Sequence, residues 1–204
     1  MTQLKIFKTN PNNTIPRKQT SGSSCFDLTF QSNGKSKYTG FTRMNKPFSR
    51  QLNGQIVMSP GDRVMVPTGV IMDIPEGHSV RVHARSGLSL KQGLVLANAE
   101  GVIDSDYVEE VMVLLHNISE NSLTISSGDR IAQAELIKDA EYTVEESAIR
   151  PGVKTTRVGG MGSTGIKTIG ETITITVADP PPTLLTQTVE KKGRGRPKKN
   201  VSAS

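Results

Sequence analysis

Short runs of alternating apolar and polar residues, each closed off by Gly, Pro, Asn or Asp, recur along this chain and set the narrowest limit on its fold. Gln55-Ile56-Val57-Met58 leads into Ser59-Pro60-Gly61-Asp62, followed by Arg63-Val64-Met65-Val66-Pro67 and by Val70 to Pro75. Ser79 to Ala84, Val111 to Leu115, Leu123 to Ile125 and Arg130 to Ile137 carry the same period of two. In an extended strand that period puts alternate side chains on opposite faces, leaving one face to bury. Many short strands with frequent turn signals predict an all-β barrel or sandwich. No segment sustains a helical period with caps, and Leu88 to Gly93 is expected to make one turn at most.

Hydrophobic residues are 34% of the 204, aromatics 4% with no Trp, so part of the chain is expected to lie outside the core. The expected division is a β core over 1–150, a glycine-rich arm over 151–165 and a largely disordered extension over 166–204. Within the core, residues 31–53 read as a long surface hairpin or loop. Ile169, Ile173, Ile175 and Val177 alternate well enough for one late strand, which Asp179-Pro180-Pro181-Pro182 would end.

Charge is unevenly spread. Lys and Arg number 25 against 19 Asp and Glu, yet six of the basic residues fall within 191–199. Without those six the chain balances at 19 against 19, so the basic character belongs to a short tail rather than to the domain. No apolar run approaches the roughly 18 residues that span a bilayer, and Met1 to Asn10 has no signal-peptide core. The one cysteine, Cys25, is expected to exclude an internal disulfide and any Cys-based zinc site. A reducing cytoplasm, or a host's cytoplasm for a viral protein, is the expected compartment.

Three segments use glycine and charge in ways that strand building does not require. In Ala84-Arg85-Ser86-Gly87-Leu88 a guanidinium, a hydroxyl and converging backbone N–H groups could bind phosphate oxygens; the alternative is an ordinary surface turn. In Gly101-Val102-Ile103-Asp104-Ser105-Asp106-Tyr107 two carboxylates would share a strand face, to hold Mg²⁺ or activate water; the alternative is a solvent-facing hairpin edge. Arg157-Val158-Gly159-Gly160-Met161-Gly162-Ser163-Thr164-Gly165 could wrap phosphates or be a plain linker, and it lacks the lysine and spacing of a P-loop. Gly-Asp-Arg occurs twice, at Gly61 to Arg63 and Gly128 to Arg130, which reads as one convenient turn used in two places.

Taken in order, these segments resemble the five motifs of the trimeric dUTP pyrophosphatase (dUTPase) family. Ser23 to Leu28 resembles the first, Ala84 to Leu88 the second, Gly101 to Tyr107 the third, Gly128 to Gln133 the fourth and Arg157 to Gly165 the fifth. The likeness spans about Leu4 to Gly165. It implies a jelly-roll-like β-barrel, a homotrimer with active sites shared between subunits, and hydrolysis of dUTP to dUMP and pyrophosphate. That reaction limits uracil in DNA and supplies dUMP for dTMP synthesis.

By motif position, the resemblance makes Asp104 the base for the attacking water and sets Tyr107 against the deoxyribose. Asn98, Gly101 and Met112 would read uracil. Arg85, Ser86, Gly87 and Gln133 would contact the phosphates. Arg157, Gly162, Ser163 and Thr164 would close over them, with Met161 covering the base. Mg²⁺ would be carried mainly by phosphate oxygens and water, with no protein metal ligand. Asp27, Asp129 and Arg130 match motif positions, but their role could equally be to tie strands and subunits together.

The chain departs from the family pattern in places. Met161 stands where an aromatic is usual, Glu109 where a Gly is usual, and Val158 where a small residue is commoner. A Glu at a position needing φ > 0 would strain the turn. Two other readings stay open: a dCTP deaminase or bifunctional deaminase–dUTPase, which shares the fold and the Arg-Ser turn, and a non-catalytic DNA-binding relative. Asp104, Tyr107, Arg85 and Arg157 argue for catalysis. In the tail, Arg194-Gly195-Arg196-Pro197 resembles an AT-hook that would enter the minor groove of A·T-rich DNA; the alternative is a generic polyanion-binding tail.

Overall fold

The computed structural model describes residues 2–152 and Lys154. The fifth motif, the expected late strand and the basic tail lie outside the described residues.

Strands β1 (Lys5–Lys8), β2 (Phe26–Thr29), β3 (Lys37–Phe41), β4 (Pro47–Gln51), β5 (Gln55–Met58), β6 (Arg63–Pro67), β7 (Val70–Asp73) and β8 (His78–His83) lead into the helix α1 (Ser86–Gln92). Then come β9 (Leu94–Leu96), β10 (Gly101–Ile103), β11 (Met112–Asn117), β12 (Leu123–Ser126) and β13 (Arg130–Lys138). All pairings are antiparallel. The two larger sheets run β10-β8-β13-β2 and β4-β3-β6-β11-β9, with the pairs β1-β7 and β12-β5 beside them.

The alternation seen in the sequence becomes burial. Ile56 and Met58 of β5, Val64 and Val66 of β6, Val113 and Leu115 of β11, and Val80 and Val82 of β8 all point inward. With Leu28, Phe30 and Ile131 they form one continuous core. Each such side chain contributes about 1.5–3 kcal/mol by leaving water. The architecture is all-β and jelly-roll-like, but the sheets remain separate rather than closing into a continuous barrel.

The repeated Gly-Asp-Arg is a structural repeat as well. At each copy the Asp carboxylate accepts the N–H of the residue three before it: Ser59 to Asp62 at 3.0 Å, Ser126 to Asp129 at 2.8 Å. Each turn is also gripped by a neighbouring strand end. Gly61 N–H donates to Asn117 O and Asn117 N–H to Asp62 O; Gly128 N–H donates to Phe30 O and Phe30 N–H to Asp129 O. Both glycines have positive φ, 78° and 98°, which explains the residue type. Asp129 is therefore a turn-forming residue.

Residues 37–51 form a hairpin, β3-β4, one of the two forms expected for 31–53; β3 joins the five-stranded sheet through β6, with Tyr38 buried and its hydroxyl donating to Val57 O at 2.8 Å. Two local expectations need correction. Helix α1 is seven residues, nearly two turns. It buries no residue and Arg85 makes no side-chain cap, so it leaves no amphipathic stripe in the sequence; Gly93 ends it in the left-handed conformation. Finally, positive φ among described non-glycine residues is confined to Asn33, Asn45 and Ala99, so Glu109 is not strained.

Candidate active site

The β10-β8-β13-β2 sheet places the second and fourth motifs together. Its registers pair Gln133 with both His83 and Asp27, and Gly101 with Val82. Since Val82, Ala132, Ala134 and Leu28 are buried, the alternation turns His83, Gln133 and Asp27 to the opposite, outer face. Arg85 follows β8 just beyond this row.

Asp27 organises the cations there. Its Oδ1 is 3.4 Å from Arg85 Nε and its Oδ2 accepts from Arg130 Nη1 at 3.0 Å. Arg85 Nη1 also donates to Arg130 O at 2.8 Å. Asp27 thus fixes the guanidiniums beside Ser86, Gly87 and Gln133, with which it lines a polar cavity of about 440 Å³. The first-turn N–H groups of α1 have no intrahelical partner and add donors. Two guanidiniums, a hydroxyl and amides suit a chain of phosphates. Cys25 also lines this cavity, but burial, and next Glu135, push its thiol pKa up, so it is not an activated nucleophile.

The third motif builds a different site. Strand β10 stops at Ile103, so Asp104 and Asp106 do not share a strand face as expected; Asp104 opens a turn in which Tyr107 N–H donates to Asp104 O at 3.2 Å. Asp104, Tyr107, Val102, Ile103, Val111 and Met112 line a small cavity of about 160 Å³. Its walls are mostly apolar, and the Asp104 carboxylate among them is exposed.

Glu110 anchors this loop. Its carboxylate accepts from Gly69 N–H at 2.8 Å and Lys35 Nζ at 2.6 Å, while its backbone O accepts the Tyr107 hydroxyl at 3.0 Å. Only the fold reveals this, because Gly69 is distant in sequence. Gly101 is explained by packing: a Cβ there would lie 3.0 Å from Val82 Cβ. Asn98 Nδ2 would be 3.7 Å from the same Cβ, yet Asn98 lines another cavity, with Phe48, Met65 and Leu114.

The two halves of the site are well apart on one chain. Ile103, just before Asp104, pairs with Val80, while Arg85 lies past the C-terminal end of β8. Five residues of extended chain at about 3.3 Å each separate Val80 from Arg85 by about 16 Å. Arg157, Met161, Gly162, Ser163 and Thr164 are outside the described residues.

A sequence model of the dUTPase family matches residues 51–165. The deoxyuridine 5'-triphosphate nucleotidohydrolase of Brucella melitensis biotype 2 is 45% identical over 111 residues, 54% of this chain and 70% of that protein. The protein of the same name from Caulobacter vibrioides is 44% identical over 115 residues, 54% of this chain and 71% of its own. In fold, the chain is similar to a Staphylococcus bacteriophage 80alpha dUTPase solved with dUPNHPP, with TM-score 0.63, 19% identity, and coverage of 81% of this chain and all of that one. It is also similar to a variant dUTPase from phage phi11 of S. aureus, in which a structural Mg(II) ion is coordinated, with TM-score 0.58, 16% identity, and coverage of 74% of this chain and all of that one. The match over more than half of its length places the chain in the dUTPase family.

Proposed function

We propose that the chain hydrolyses dUTP to dUMP and pyrophosphate, with Asp104 orienting the attacking water. The observation that carries this is the pair of cavities: a polar one with Asp27-fixed Arg85, Ser86 and Gln133, which we assign to the phosphates, and a small, mostly apolar one lined by Asp104 and Tyr107, which we assign to the nucleoside. Membership of the dUTPase family supports the reaction.

In the reaction, water attacks the α-phosphorus in line as its proton passes to the Asp104 carboxylate. The bond from that phosphorus to the bridging oxygen breaks, and pyrophosphate leaves. Tyr107 lies against the deoxyribose and leaves no room for a 2′-hydroxyl. Gly101 and Met112 contact uracil through their backbones, and Asn98 helps read its edge. An exocyclic amine in place of a uracil oxygen would set donor against donor, at about 1–3 kcal/mol per unsatisfied group. Arg157, Gly162, Ser163 and Thr164 close over the phosphates and Met161 covers the base.

The donor set of the phosphate cavity fits a Mg²⁺ carried by substrate rather than caged by protein: Asp27 is its one carboxylate, and two guanidiniums already engage it. The ion, held by phosphate oxygens and water, would neutralise charge on the triphosphate.

The chain works in this reading as a homotrimer, with Asp104 of one chain beside Arg85 of another and the 157–165 arm of a third; the separation of the two along β8, about 16 Å between backbones, supports sites shared between chains. The basic segment Arg194-Gly195-Arg196-Pro197 adds a contact to the minor groove of A·T-rich DNA, outside the catalytic cycle.

A pyrophosphate-release assay tests the function. Wild type should act on dUTP and release no ammonia from dCTP, and Asp104→Asn should lose activity by orders of magnitude while still binding nucleotide. Full activity in the variant would remove Asp104 from the mechanism.

A further inference from the structure

The phosphate cavity has a neighbour on the same sheet face that the reaction does not use. Cys25 stands at the start of β2, His83 ends β8 and Glu135 lies in β13. A sulfur, a ring nitrogen and a carboxylate oxygen from these residues all lie within 4.8 Å of one another. The registers explain why. Phe26 pairs with Ala134, which brings Cys25 level with Glu135, and His83 pairs with Gln133, one step along the same outer face.

The contacts around this cluster bring its donor atoms face to face. His83 Nε2 is 3.1 Å from Glu135 Oε1, and Nδ1 is 3.6 Å from Glu100 Oε1. A neutral imidazole can donate its Nε2–H to Glu135. An ion binding here would displace that proton and take both atoms as ligands, with Glu100 near Nδ1 as the outer carboxylate that orients a ligating histidine. Arg81, the cation opposite Glu135, is 3.9 Å from Asp139 instead. Zinc bonded to sulfur at about 2.3 Å and to nitrogen or oxygen at about 2.0–2.2 Å needs donor-to-donor edges of about 3.3–3.6 Å, so pairs up to 4.8 Å apart must close by about 1 Å on binding.

We propose that Cys25, His83 and Glu135 form a site for one Zn²⁺-class divalent cation per chain, separate from the Mg²⁺ that arrives with substrate. A thiolate and an imidazole select a borderline-soft ion over Mg²⁺, and three protein donors leave a fourth position open. One cysteine suffices because the other donors come from different strands, which counting cysteines could not show. Bound there, the ion would clip β2, β13 and β8 together beside Asp27 and Gln133.

The test uses the full chain, stripped with chelator and checked for its fold by circular dichroism. Equilibrium dialysis with Zn²⁺ should give one ion per chain, unaffected by excess Mg²⁺, and Co²⁺ in its place should show thiolate-to-metal charge-transfer absorption. Cys25→Ser should abolish that absorption, and His83→Gln should weaken Zn²⁺ binding at least about tenfold. Glu100→Gln should keep the absorption but bind about tenfold more weakly. Absence of stoichiometric Zn²⁺ in the folded wild type would overturn the proposal, leaving His83 as a hydrogen-bond partner of Glu135. So would binding unchanged in both Cys25→Ser and His83→Gln.

Discussion

Asp104 follows Ile103, which pairs with Val80 inside β8, whereas Arg85 lies past the C-terminal end of that strand, about 16 Å away along the strand direction. Each sits in a cavity of its own that suits one part of a nucleotide. This arrangement is wasteful in a monomer and sensible in an assembly where one chain's nucleoside pocket meets another chain's phosphate cavity.

Asp27 joins the phosphate cavity to the fold, since it holds Arg85 and Arg130 at once. Asp27→Asn keeps the shape and removes the charge. A hydrogen bond to a charged group contributes about 1.5–3 kcal/mol, so kcat/KM for dUTP should fall about 10- to 100-fold. Steady-state pyrophosphate release checks this; an unchanged value would show that Arg85 needs no such support.

Glu110 should control sugar selection through Tyr107. Glu110→Ala leaves the Gly69 N–H without its acceptor, at about 1–3 kcal/mol, and frees the loop that carries the Tyr107 hydroxyl contact. The ratio of kcat/KM for dUTP over UTP should drop. A variant that is destabilised but equally selective would separate the loop from the selection.

Ala99 occupies the left-handed region at φ 62°, between Asn98 and Glu100. Ala99→Gly relieves a strain of about 1 kcal/mol. The melting temperature should rise by a few degrees in thermal unfolding, with Ala99→Val lowering it.

His116 gives a pH signature. Burial, reinforced by Arg63 across the β11-β6 ladder, holds its pKa below the usual 6.5. The unfolded chain therefore takes up this proton first as pH falls, so stability is complete above about 6.5 and is lost as pH drops through that value toward the lower folded pKa. His116→Gln should narrow the difference in melting temperature between about pH 7.5 and pH 5.5. An equal difference in the variant would assign the slope to other groups.

The alternation of β5, β6, β7, β11 and β13 was readable because one face of each is buried and the other is wet. Strand β1 was not, because Lys5-Ile6-Phe7-Lys8 has no fully buried residue and is defined by its pairing with β7. β9 and β10 are three residues each, too short for a period to appear. At the site, the residue order announced Arg85, Asp104 and Gln133, but the role of Glu110 and the meeting of Cys25, His83 and Glu135 depend on strand registers between distant segments. The distance between Asp104 and Arg85 is likewise a property of the β8-β10 pairing.

That distance can be tested by mixing two inactive chains. Arg85→Ala and Asp104→Asn, each checked for its fold, are unfolded together in equal amounts and refolded, and dUTP hydrolysis is measured. If a site takes Asp104 from one chain and Arg85 from another, random trimers carry both intact groups in about a quarter of their sites. The mixture should then recover about a quarter of wild-type activity while neither variant alone has any. A refolded mixed trimer that remains as inactive as its parents would contradict sites shared between chains.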